Sequence, residues 1–322
     1  MRILLKNPAN LHLISLMIGH LRVKSPLSQL AIFLGLFGAA FIFGSLLMAV
    51  IILALGIPVA ELGRIDWSQP KIISVMKLVQ SISSVFMFLL PAFIYALITF
   101  RGKPLYFLGL KKTDRRQSYL LAVVCMLLAF PLVVWLGNIN QMISLPDWMV
   151  TLEKDATKQM EAFLKAGSLG DVVLNVFIIA LLPAICEEIC FRGALQRILI
   201  NLVRSPWMGI VLTSILFSAL HFQFQGFLPR MFLGIVLGAI YWYSGSIWPA
   251  VAAHFVNNAV QVVAVSYFPE YIAKNPDIPL YFVPVSAVLV FIILWRLRSI
   301  STASYEKTYE YEELNRTNEF IA

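Results

Sequence analysis

Ile178-Ile179-Ala180-Leu181-Leu182-Pro183-Ala184-Ile185-Cys186-Glu187-Glu188-Ile189-Cys190-Phe191-Arg192 sets two adjacent carboxylates and an arginine into sequence of membrane grade. No residue from 178 to 185 is charged. An ionisable side chain at the centre of a membrane helix costs about 2.5–3.5 kcal/mol on insertion scales, so its presence argues for function. On a helix Glu188 and Arg192 stand at i,i+4 and can pair on one face. Glu187 points about 100° away and meets no arginine at that spacing. One acid is neutralised by its own helix, and the other is the candidate for chemistry.

The surrounding chain agrees with a membrane setting. Of 322 residues, 60% are hydrophobic and 13% charged, and the mean hydropathy is +0.82. Soluble domains run nearer ~45–50% apolar and ~25% charged. Apolar runs at about 27–60, 78–100, 119–136, 171–202, 207–222, 229–243, 248–267 and 281–295 predict about eight transmembrane helices against the ~20 residues a bilayer requires, the fourth run being longer than that and so tilted or projecting. The expected fold is all-α: one transmembrane helical domain over residues 1–298, with its motif-bearing core at about 171–262 and a polar tail at 299–322. Residues 1–26 read as a basic surface lead without a cleavable signal peptide. Residues 138–170 read as a solvated loop with one amphipathic helix.

Net charge is +8. The basic residues fall in connections, where they set topology rather than bind nucleic acid. Arg101, Lys103, Lys111, Lys112, Arg115, Arg116, Arg204, Arg296 and Arg298 all lie on one side if the N-terminus is inside. The expected orientation is therefore N-in, C-in. Cys125, Cys186 and Cys190 all lie in apolar runs and read as packing.

Two further histidines occur in the spans. His221 closes Phe217-Ser218-Ala219-Leu220-His221, and His254 opens His254-Phe255-Val256-Asn257-Asn258, with Asn258 on its face at i,i+4. Expensive polar groups on three helices are usually brought together. Glu187 and His221 are equally far along the chain from Arg204, whereas His254 follows closely on the 244–247 connection. Their heights agree only if the fourth and fifth helices project beyond the others.

Two chemistries fit these groups. In one, Glu187 is general base on a water that His221 orients, while His254 and Asn258 donate to the oxyanion of a peptide-bond intermediate. In the other, Glu187, His221 and His254 hold a divalent metal such as zinc, which acidifies the water. The helical HExxH signature is absent. Buried acid and histidine also suit a proton-coupled transporter, and the same scaffold suits a non-catalytic immunity or assembly protein.

Glu187-Glu188-Ile189-Cys190-Phe191-Arg192-Gly193, with Phe217 to His221 and His254 to Asn258, resembles the three motifs of the CPBP family. That family groups CAAX-processing prenyl proteases with bacterial Abi or bacteriocin-immunity-like proteins. The resemblance implies an intramembrane endopeptidase of about eight helices, its cavity open to the cytoplasm, cutting a peptide or protein substrate at the bilayer. It implies Glu187 and His221 as activators of water, Glu188 and Arg192 as supporting residues, and His254 and Asn258 at the oxyanion. For a bacterial member the expected location is the cytoplasmic (inner) membrane.

Overall fold

The structure is a computed structural model that describes residues 25–57, 65–99, 104–113, 115–272, 274–306 and 308. The basic lead and most of the polar tail lie outside these residues. The described residues are helical, with no strand among them.

The first helix, α1 (Pro26–Ala54), starts on a Ser25 cap and a first-turn proline. It packs against α2 (Pro70–Thr99), whose π turn Val85–Leu89 sits where Pro91 takes an amide away from the Met87 carbonyl. A short helix, α3 (Pro104–Phe107), leads to α4 (Gln117–Leu128) and α5 (Phe130–Gln141). The expected single third span is thus two helices bent by 43°, broken ahead of Pro131.

The amphipathic helix α6 (Asp147–Leu164) precedes the motif helix α7 (Leu169–Val203). Within α7 a π turn, Val176–Leu181, again coincides with the carbonyl that a proline, Pro183, leaves unbonded. A second π segment, Ile189–Gln196, has no proline to explain it. Helices α8 (Pro206–Ala219), α9 (Phe227–Ser244), α10 (Trp248–Tyr267) and α11 (Phe282–Ile300) complete the bundle.

All eight apolar runs are therefore helical. Five of the helices are long and apolar enough to cross a membrane, and six if the bent α4–α5 pair counts as one span. α8 is short at 14 residues. α10 has the length but carries His254, Asn257, Asn258 and Gln261.

The core gathers around α7. Gly234 and Gly238 of α9 lie against it so closely that a Cβ on Gly238 would stand 2.6 Å from Gln196 Oε1. Their carbonyls accept from Arg192 Nη2 (3.3 Å) and Gln196 Nε2 (3.1 Å), two rungs between the helices. The small-residue spacing thus serves polar bonding as well as close approach.

Candidate active site

Glu188 and Arg192 are both fully buried and pair at 2.9 Å. The same carboxylate oxygen, Glu188 Oε1, accepts from His254 Nδ1 at 2.8 Å. An ionised carboxylate only accepts, so Nδ1 carries the proton and Nε2 is left to face elsewhere. It faces Glu187, whose Oε2 is 3.9 Å away. That is too long for a direct hydrogen bond and leaves room for a third group to join the two. Glu188 Oε2 and Arg192 Nε, both buried, have no protein partner.

Phe217 forms a shared wall. Its ring stands edge-on to Phe191 (5.0 Å), His221 (4.9 Å) and His254 (6.0 Å), with the Arg192 guanidinium 4.6 Å above it. His221 is not inside a span, as the sequence suggested. α8 ends at Ala219, and Phe222, at φ 52°, turns the chain away. His221 Nδ1 donates to the Phe217 carbonyl at 2.7 Å, so its Nε2 is also the free nitrogen.

The structure therefore joins Glu188, Arg192 and His254 directly, sets Glu187 3.9 Å from His254, and brings His221 to them across Phe217. Asn258 lies one turn along α10, its Oδ1 accepting from Asn257 Nδ2 at 3.1 Å. Among the described residues no bond ties Asn258 to the other five. The heights are reconciled because the 244–247 connection is buried rather than at a surface. Ser246 and Ile247 are fully covered, and Ile247 N donates to the Gly109 carbonyl at 3.0 Å.

A divalent metal would need Glu187, His221 and His254 to converge. Among the described residues no group of three His, Cys, Asp or Glu side chains is set to hold an ion. As placed, the donors do not fit one, and no step is derived through a metal.

Sequence reasoning passed over Arg230, in the first turn of α9. Its guanidinium donates to the Gln223 carbonyl (3.2 Å) and to Gln223 Oε1 (2.7 Å). It interacts electrostatically with both Glu187 and Glu153. The available signal was a cation without an acid on its own apolar helix. α6 was likewise read as solvated, yet it docks on the His221 loop. Glu153 Oε1 accepts from Gln225 N at 2.8 Å, and Trp148 meets Phe224 edge-on at 5.5 Å. Arg197, near the end of α7, is tucked in, donating to the Phe107 carbonyl at 2.7 Å.

Residues 169–260, the segment that builds this cluster, match the family described as Rce1-like, type II CAAX prenyl endopeptidase. The match, over less than a third of the chain, supports the CPBP, or CAAX protease, family. The chain is 30% identical over 90 residues to the uncharacterized protein YpbD of Bacillus subtilis (strain 168), covering 27% of this chain and 43% of that one. It is 38% identical over 74 residues to an uncharacterized 24.3 kDa protein of Escherichia coli, covering 21% and 32%. It thus spans less than half the length of either relative. No solved structure matches.

Proposed function

We propose that this chain is an intramembrane endopeptidase of a bacterial cytoplasmic membrane, in which Glu187 is the general base on the attacking water. The observation that carries the reading is the placement of His254, bonded to Glu188 at 2.8 Å and facing Glu187 at 3.9 Å. A water between Glu187 and the free Nε2 atoms would be held by groups that accept its protons. Glu187 takes one proton as the oxygen adds to the peptide carbonyl and returns it to the leaving amine.

Glu188 and Arg192 position His254. The acid accepts from both donors, and Arg192 balances its charge by pairing with it. When the oxyanion forms, the amide of Asn258 is the donor assigned to it, and His254 joins it when the proton taken up by Glu187 is shared across to Nε2 on its way to the leaving amine. Phe217 keeps one side of the cluster dry, which strengthens these interactions.

The test uses full-length protein in lipid nanodiscs and a library of internally quenched peptides. Glu187→Gln should lower cleavage by about 10²–10⁴-fold, the usual contribution of a general base, while the protein still inserts and unfolds as the parent does. Cleavage unchanged in that variant would end the assignment. Solute or proton flux in proteoliposomes that depends on Glu187, with no cleavage of any peptide, would favour the transporter instead.

A further inference from the structure

Hydrogen bonds and ring contacts sort the connections into two ends of the bundle. At one end Arg197 reaches the Phe107 carbonyl, Thr113 Oγ1 donates to Ser244 O at 3.1 Å, and Trp207 meets Tyr243 at 6.3 Å. Tyr95 near the end of α2 bonds Gln29 near the start of α1 at 3.1 Å, which puts the start of α1 here too. At the other end Asn140 Nδ2 donates to the Phe224 carbonyl (2.8 Å), Asn275 Nδ2 to Asn138 Oδ1 (2.8 Å), and Trp67 meets Phe163 (6.0 Å).

The first end is the basic one. Among the described residues its connections and helix ends carry Lys111, Lys112, Arg115, Arg116, Arg204, Arg296 and Arg298, with Glu306 just beyond α11. The second end carries fewer cations and many acids, among them Asp66, Asp147, Glu153, Asp155, Glu161, Glu270 and Asp277. Lysine and arginine bias fixes the basic end in the cytoplasm.

The site is sealed towards that basic end. From Glu188 to Ile200 every residue of α7 is buried except the half-covered Arg197, and a Cβ on Gly193 would stand 2.8 Å from the Leu108 carbonyl. Ser246 and Ile247, fully covered at the end of the 244–247 connection, close the same side. The side chains of Glu187 and His254 keep 11% and 7% exposure, and the polar groups that lead on from them lie at the other end. His221, Gln223, Arg230 and Glu153 continue the polar line to that surface. An N-in orientation and a cavity open to the cytoplasm therefore exclude one another in this fold.

We propose that the site is reached from the end opposite the basic loops, across the His221–Gly226 loop and α6, and that its substrate is a peptide segment exposed on the non-cytoplasmic face of the membrane. The substrate half of this rests on the peptidase reading above; the sidedness does not.

The experiment is thiol labelling of the full chain in spheroplasts with a membrane-impermeant maleimide. Met142→Cys reports the α6 end, where Met142 is 82% exposed, and Gln117→Cys reports the basic end. Phe222→Cys, beside His221, reports water access to the loop. The native thiols Cys125, Cys186 and Cys190 are buried and form the background. Met142→Cys and Phe222→Cys should label in intact spheroplasts, and Gln117→Cys about tenfold more slowly until the membrane is permeabilised. Labelling at Gln117→Cys with protection at Met142→Cys overturns the proposal. So does equal labelling of both, and so does protection of Phe222→Cys from outside. Cleavage is not read, so a failure of the peptidase assignment leaves this result standing, and the reverse also holds.

Discussion

α1 and the stretch of α7 from Glu188 to Ile200 are both helical and both dominated by apolar side chains, yet they meet opposite surroundings. α1 turns Ile42, Phe43 and Val50 outward, with Phe43 68% exposed, whereas Phe191 in α7 is 1% exposed. The difference lies in residues that hydropathy counts as blemishes. α1 has no ionisable residue along its length, and beyond packing its rotation is held by the Tyr95–Gln29 bond near its start. α7 carries Glu188, Arg192 and Gln196, and each finds its partner on a neighbouring helix or on α7 itself. In a bilayer, lipid tails are as apolar as leucine, so hydrophobicity does not choose an inside. The polar groups choose it.

Several substitutions would break that contrast if it is wrong. Arg192→Met should cost about 3–5 kcal/mol, the price of stranding the buried Glu188 charge, read by unfolding in mixed detergent micelles. The double change Glu188→Gln with Arg192→Met should recover part of that loss, since no uncompensated charge remains. Phe191→Ala should cost about 3–5 kcal/mol, as a buried aromatic does, whereas Phe43→Ala should stay within about 0.5 kcal/mol. Equal losses at the two phenylalanines would show that α1 is packed against something in the membrane. Gly193→Ala should cost about 1–3 kcal/mol through collision with the Leu108 carbonyl. Gly35→Ala, with open space around it, should be neutral or gain up to about 1 kcal/mol in helix propensity. The smallest expected effect is chemical. Cleavage should be unchanged by 1,10-phenanthroline, and a loss restored by zinc would make Glu187, His221 and His254 metal ligands after all.

Much of the architecture was legible because bilayer thickness imposes run length: among the described residues the apolar runs are helical, the third as a bent pair. The Glu188–Arg192 pair was legible because i,i+4 spacing is local. What could not be read depends on relations between helices. His254 bridging both glutamates needs α10 against α7, and no spacing within one segment reports that. The π segment at Ile189–Gln196 has no sequence mark at all. Arg230 was hidden by its position near a helix end, where a cation is ordinarily taken for an interfacial anchor. α6 was misjudged because its charged face is real. Its role on the His221 loop rests on Glu153 and Trp148 alone among those charges and aromatics.

The sharing of one oxygen, Glu188 Oε1, by Arg192 and His254 has a consequence for how the protein is made. When α7 is laid into the bilayer during synthesis, Arg192 arrives four residues after Glu188 and the two travel as an internally neutral couple. His254 follows 66 residues after Glu188, so the second donor is absent until α10 is inserted. Glu187 has no cation at pairing spacing on its own helix and waits as long. The nascent chain therefore passes through a stage in which the acidic helix is in place but its chemistry is not assembled. α10 is the element whose arrival matures the site.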